Sequence, residues 1–324
     1  MKKMINTTHV EGLLYDHSLE EKVSGANSKN PGTKYISGNI DIATDNDGIN
    51  IVSVHFTYVT PVTATGKENA TYTTLMNIVN GTYRTVVRDG SDNATKIRVD
   101  SAIGLNEFYS DRNGTEELVS VKRNEGGFVH TNGNFTDDET LRNTFDVDIV
   151  ITGVRHVDGD ADKGTDDKVI IKGAIFDFRN SLLPVEFSVT NPAAMNYFEG
   201  LDASNKNPIF TRIRGRQVSE TITRQITEEG AFGEPSVREV KSSRKDFVVT
   251  WAKAEPYLWD DESTLTVDEF KKAIEDREIA LAEIKRRNDE YKASKKNGNG
   301  VPFGDNASAS TTNVAAPNAG TFDF

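Results

Sequence analysis

The chain has 324 residues and no cysteine, which excludes disulfides, thiolate metal sites and cysteine nucleophiles. Charged residues make up 27% and hydrophobic residues 36%, and the formal net charge is −12, so positive potential over the whole surface is excluded. The length allows two domains. Because we find neither an apolar run that could span a bilayer nor a secretory signal, we expect a cytoplasmic protein.

The first half of the chain predicts five strands with one helical segment after the third. Alternating apolar residues indicate strands at 8–15, 35–44 and 51–60. One or two helical turns follow within 71–83, where Gly81 closes the segment. Two more strands are predicted at 96–104 and 117–124.

The second half of the chain repeats this order of elements. Strands are predicted at 145–157, 168–178 and 182–190, then a helix from Asn191 as N-cap with Pro192 at its first position. The last strands are predicted at 208–223 and 246–253. Segments 36–40 and 171–175 match, as do 54–56 and 185–187, and 60–61 and 190–192, so the chain is interpreted as one domain present twice.

Three strands, a helix and two strands form the order of the OB-fold, a small Greek-key barrel. A glycine within the second strand of each copy, Gly38 and Gly173, suits the tight coiling of such a barrel. We therefore predict a mainly β protein of two tandem OB-fold-like five-stranded barrels, at 1–143 and 144–258. A pair of generic β-sandwiches is the alternative.

The C-terminal part predicts a linker and amphipathic helix at 259–295 and a disordered tail at 296–324. Thr266 and Glu269 form a capping box, and the tail is rich in Gly, Asn, Ala, Ser and Thr. The helix either packs on its own barrel or joins two copies through residues 267–295. Its apolar seam contains Val267, Phe270, Ile274, Leu281, Ile284 and Tyr291, interrupted by Arg277 and Asn288.

No motif supports catalysis, so the chain is predicted not to be an enzyme and to need no cofactor or metal. The five histidines are scattered and form no metal-binding spacing. The acidic loop 158–167 resembles a calcium loop in its aspartates, but Lys163 and Val169 stand where that loop needs Gly and Glu. A solvated hairpin loop is the simpler interpretation.

The segment "PIFTRIRGRQ" (208–217) predicts a strand with Phe210, Arg212, Arg214 and Arg216 on one face. Guanidinium groups suit phosphates, and aromatic rings stack on bases, so this face is a candidate nucleic-acid surface. Alternatively, Phe176 or Phe178 is core and the arginines pair with Glu186, Glu220 or other acids. Trp251 is expected in the core. Further candidate contacts of the second copy are Phe176, Phe178, Arg224, Lys241, Arg244 and Lys245, and those of the first copy are Tyr35, Lys96, Arg98 and Lys122.

Two OB-like units, a basic strand face and a disordered tail with an aromatic acidic tip together resemble phage-encoded single-stranded DNA-binding proteins. The resemblance is one of architecture over the whole chain. It implies a protein that coats single-stranded DNA without sequence preference in replication, recombination and repair. It also implies that the tip, Phe322, Asp323 and Phe324, recruits partner proteins, although the tip has one acidic side chain and no proline beside the last residue.

Two alternatives to this function stay open. A virion or scaffold protein could also be built from tandem β-domains, and on that interpretation the arginines would be buried in subunit contacts. An RNA-binding role is the closer alternative, since no residue reports recognition of the 2′-hydroxyl.

Overall fold

Two five-stranded barrels make up most of the chain in a computed structural model. The structure describes residues 3–26, 28–112, 115–131, 133–159, 166–228, 236–261 and 265–296. Barrel 1 consists of β1 (Asn6–His17), β3 (Lys34–Ala43), β4 (Ile51–Val59), β5 (Lys96–Arg112) and β6 (Thr115–His130), with β2 (Glu20–Val23) added beside β3. Barrel 2 consists of β7 (Asn143–Val157), β8 (Lys168–Phe176), β9 (Leu182–Val189), β10 (Ile209–Glu228) and β11 (Ser236–Ala252).

Four α-helices complete the described part of the chain. They are α1 (Ala70–Val79), α2 (Val86–Asp89), α3 (Pro192–Glu199) and α4 (Val267–Lys296). The side chain of Asn191 caps α3 by accepting from the N–H groups of Ala193 and Ala194. No helix in these ranges is both long and apolar enough to cross a bilayer.

Each barrel closes in the same way. β1 pairs antiparallel with β3 and β5, β3 with β4, and β5 with β6, while β4 runs parallel to β6. In barrel 2, β7 pairs with β8 and β10, β8 with β9, and β10 with β11, while β9 runs parallel to β11. A helix follows the third strand each time, so this is the OB-fold topology and the predicted fold is confirmed.

The inward faces of the strands fill each barrel with branched aliphatic and aromatic side chains. In barrel 1, Ile40 and Val54 lie in one core cluster with Leu75 and Ile78 of α1. Gly38 has φ +136°, and a Cβ there would lie 2.2 Å from the carbonyl oxygen of Ser18, so the position requires glycine. The core of barrel 2 is built from Phe145, Val147, Ile149, Ile171, Val185 and Phe187.

The barrels are joined by antiparallel pairing of their first strands, β1 and β7. Thr8 lies opposite Phe145. In turn, Thr8 pairs with Ser101 of β5 and Phe145 pairs with Gly215 of β10. Thr8 and Phe145 are thus equivalent positions of the two copies, and they lie opposite each other. The barrels are therefore related by an approximate two-fold axis that passes between these two residues. The pairing also joins all the strands into one continuous eleven-stranded sheet.

Helix α4 packs on its own chain, which is the first of the two predicted alternatives. Phe270 and Ala273 are buried against Ala174 and Phe176 on the outside of barrel 2. Farther along, Arg277 forms an ion pair with Glu107 on β5, and Lys292 bonds to Asp111 and Glu116. The predicted capping box is present, because Thr266 and Glu269 exchange backbone-to-side-chain bonds of 3.1 Å.

The paired strands β5–β6 and β10–β11 are longer than predicted. Beyond each barrel they continue as two-stranded arms, with Arg112 opposite Thr115 in one arm and Glu228 opposite Ser236 in the other. The centre of the acidic loop, 160–165, and the tail beyond Lys296 lie outside the described residues.

Candidate nucleic-acid interface

The arginine strip, Arg212, Arg214 and Arg216, lies on the outer face of β10 as predicted. Arg212 is held by Asp146, its Nε donating to Oδ1 at 2.7 Å and its Nη2 to Oδ2 at 2.6 Å. Arg214 also donates to Asp146, at 3.0 Å, but is 49% exposed. Arg216 is exposed and forms no ion pair with the described residues. The strip is thus held by an ion pair at Arg212, whereas the guanidinium of Arg216 is exposed to solvent.

Trp251 adds an aromatic ring to this strip and is 43% exposed, so its predicted place in the core was wrong. It lies opposite Arg214, whose guanidinium carbon is 4.6 Å from the centre of the indole. A bulge at Thr250 causes this orientation: Val249 faces the core, and Trp251 then faces outward instead of inward. Periodicity alone could not detect the bulge.

Two of the three phenylalanines proposed for base stacking are buried. Phe210 is 2% exposed, because the rings of Tyr257 and Trp259 cover it at 4.7 and 5.8 Å. Phe176 is fully buried in the cluster that includes Phe270 of α4. The prediction for both was wrong, since linker and helix occupy the face that bases would need.

Phe178 lies beyond the end of β8 and is 77% exposed, with the guanidinium carbon of Arg179 5.0 Å from its ring centre. Of the three phenylalanines proposed for base stacking, it is the one whose ring is exposed to solvent.

Four cations were predicted as contacts on the β10–β11 arm, and the structure describes the side chain of one of them. Lys245 is exposed on β11 opposite Ser219. Arg224, Lys241 and Arg244 lie on the strands of the arm, but their side chains are outside the described part of the structure.

Lys122 of barrel 1 is not a free surface cation, so this prediction was wrong. Its ammonium nitrogen lies 4.5 Å from the ring centre of Phe187 and 4.2 Å from that of Phe247, and it donates to the carbonyl of Glu186. Burial lowers the pKa of Lys122 to about 8, although Asp246 and Glu186 oppose the shift. Lys122 therefore fastens β6 to barrel 2.

The other predicted cations of barrel 1 are exposed. Lys96 lies 4.9 Å from the ring centre of Phe135, and Arg98 forms an ion pair with Asp100 at 3.3 Å.

Tyr35 lies on β3 against Tyr58 of β4, their ring centres 4.5 Å apart, and Tyr58 is 44% exposed. These two strands form the outer face that OB-folds use for oligonucleotides. Beside them, His55 bonds to Asn39 at 2.7 Å. Burial and, less strongly, Arg123 lower the pKa of His55 to about 4, so this face carries a neutral imidazole at pH 7.

The topology and these surfaces define the class of the protein: a double OB-fold with a candidate surface for nucleic acid. The chain belongs to the YorF family, whose sequence profile matches residues 4–287. No curated protein matches the sequence.

Two solved structures are similar to this chain. One is a deletion mutant of the single-stranded DNA-binding protein from Thermus aquaticus, at 10% identity and TM-score 0.44, covering 81% of this chain and 98% of that one. The other is a Replication Protein A heterotrimer bound to ssDNA, at 11% identity and TM-score 0.22, covering 86% and 69%. Neither likeness bears on which residues bind a ligand.

Proposed function

We propose that this protein binds single-stranded DNA without sequence preference and coats it during replication. The observation that supports this most directly is the side-by-side exposure of Arg214, Arg216 and Trp251 on the outer face of β10 and β11. An arginine fork donates to phosphate oxygens in any sequence. An indole ring stacks on any base, at about 1–3 kcal/mol per base. Together, the guanidinium groups and the indole ring suit the binding of a nucleotide chain, which requires no catalytic group.

A single strand fits this surface better than a duplex. An exposed ring stacks only on a base that has a free face, and the bases of a duplex already stack on each other. The guanidinium of Arg214 lies beside the indole of Trp251. One nucleotide could therefore place its phosphate and its base on adjacent side chains.

Barrel 1 offers further contacts for the same strand. Tyr35 and Tyr58 provide rings on the β3–β4 face, and Lys96 and Arg98 provide exposed charge. We retain Phe178, Arg224, Lys241, Arg244 and Lys245 as proposed contacts of barrel 2.

The wider biological role is proposed from the sequence. A phage-encoded protein of this kind would act in the cytoplasm of its host, in recombination and repair as well as replication. The aromatic acidic tip, Phe322, Asp323 and Phe324, would recruit replication proteins; it lies outside the described residues.

The test is fluorescence anisotropy of labelled oligo-dT over a salt series, with duplex DNA and oligo-U alongside. Arg214→Gln with Arg216→Gln should weaken binding and make the salt slope shallower by about 0.7 for each phosphate that is no longer neutralised. The matched control is Arg286→Gln with Arg287→Gln, which removes the same charge from exposed positions on α4.

No binding of oligo-dT at low salt would contradict the proposal and leave an assembly role as the better explanation. Equal losses in both pairs of variants would show that the strip is not the binding surface. Preference for oligo-U over oligo-dT would indicate RNA as the ligand.

A further inference from the structure

An exposed phenylalanine of barrel 1 occupies the position equivalent to Trp251. Phe128 lies opposite Asp100 of β5, which lies opposite His9 of β1. Trp251 lies opposite Arg214 of β10, which lies opposite Asp146 of β7. The two-fold axis between Thr8 and Phe145 relates one row to the other. Phe128 is 71% exposed, so both barrels present a ring on the same continuous face.

The backbone around Phe128 is built for this orientation. The pairing of β5 and β6 shifts beside Gly126 and Gly127, where the strand bulges. Gly127 has φ +119°, and a Cβ there would lie 2.3 Å from the carbonyl oxygen of Asp100. Only glycine fits this close approach, which sets Phe128 on the outer face.

A depression of about 380 Å³ lies between the two barrels on this face. Its lining includes Thr7, His9, Asp100, Phe128, Thr144 and Asp146. Both lining carboxylates are paired, Asp100 with His9 at 2.7 Å and Arg98 at 3.3 Å, and Asp146 with Arg212 and Arg214. The depression therefore combines an aromatic wall, hydroxyl groups and compensated charge, which suits a nucleobase.

The depression also connects the two rings to the arginine strip. Arg216 lies opposite Thr144, and the next strands along the same line carry His9, Asp100 and Phe128. Four steps between neighbouring strands span about 19 Å, and the curvature of the sheet shortens this distance. A strand of a few nucleotides covers it.

We infer that a single strand held by Arg214 and Arg216 crosses the junction between the barrels and stacks a base on Phe128, as it does on Trp251. This inference rests on the proposed function. It assigns a nucleobase site to the outer face of β1, β5, β6 and β7. Of the predicted contacts, Lys96 and Arg98 lie on this face, both on β5.

The test compares Phe128→Ala with Phe108→Ala in binding to oligo-dT of about 30 nucleotides, roughly twice the upper site size of one OB-fold. Phe108 is also an exposed phenylalanine, eight residues beyond Asp100 on β5 and about 26 Å along the strand. Phe128→Ala should weaken binding about 5- to 150-fold with an unchanged salt slope, because it removes stacking and not charge. Phe108→Ala should bind like the wild type.

A second variant reports the contact directly. Phe128→Trp, made with Trp251→Phe, should retain most of the affinity, and oligo-dT should quench its fluorescence. Trp259 contributes a constant background, since it packs against Phe210 and Phe270.

The outcomes separate this inference from the proposed function. If Phe128→Ala binds like Phe108→Ala, or if Phe128→Trp shows no quenching, the inference is overturned. The proposed function would still stand if the arginine variants weaken binding. If the wild type does not bind oligo-dT, the proposed function itself fails, and this inference with it.

Discussion

Arg212 clamps the carboxylate of Asp146 with two hydrogen bonds, whereas Arg216, on the same face of β10, has no ion pair among the described residues. Arg212→Ala should therefore lower the free energy of unfolding by about 1.5–3 kcal/mol, the range for hydrogen bonds between charged groups. Arg216→Ala should change it by less than about 0.5 kcal/mol. Urea denaturation of both variants measures the difference, and equal stability of the two would contradict this division of roles.

The two phenylalanines Phe210 and Phe178 should differ in the same way, since replacing the buried Phe210 lowers stability and replacing the exposed Phe178 does not. Phe210→Ala empties a site enclosed by Tyr257 and Trp259 and should cost about 3–5 kcal/mol of stability. Phe178→Ala removes an exposed ring and should leave the unfolding midpoint unchanged. Any loss of oligo-dT affinity in Phe178→Ala at unchanged stability would report a direct contact. A stable Phe210→Ala protein would show that the linker does not cover this ring in solution.

Lys122 should make stability depend on pH in the alkaline range. Its pKa in the folded protein is about 8, below the ordinary value of 10.5, so the unfolded chain binds more protons between these values. The free energy of unfolding therefore rises as pH increases from about 8 to 10.5, by up to about 3 kcal/mol from this residue.

Lys122→Met removes the titrating group and keeps an unbranched side chain that is one atom shorter. Stability measured from pH 7 to 10.5 in both proteins should show the wild type gaining on the variant. Parallel curves would mean that the ammonium group of Lys122 is not enclosed between Phe187 and Phe247.

The pair Arg277 and Glu107 tests whether α4 lies on its own barrels. Both side chains are nearly buried, so Arg277→Met or Glu107→Gln should cost about 3–5 kcal/mol by leaving one charge without its partner. The double variant should be more stable than the sum of the single changes predicts. Additive losses would indicate that the two residues do not meet, and that the helix seam is available to a second copy.

The sequence predicted the order of the strands and helices because those depend on alternation and on local signals such as Asn191-Pro192. It could not predict the orientation of Trp251 and Phe128, since each depends on a bulge that breaks the alternation. The burial of Phe210 and Phe176 depends on the linker and helix α4, which lie more than forty residues later in the chain. The enclosure of Lys122 could not be predicted either, because it depends on contacts distant in sequence: Phe187 and Phe247 belong to the other barrel.

The pairing of β1 with β7 fixes the distance between the two barrels through main-chain hydrogen bonds over five residue pairs. Domains joined only by a flexible linker must search for a second contact, at an effective concentration that the linker sets. Here no such search is needed. When a ligand binds one barrel, the binding surface of the other barrel is already held at a fixed position beside it. The double barrel should therefore act as one rigid bivalent surface, with an avidity that a longer or shorter connection between the domains would not change.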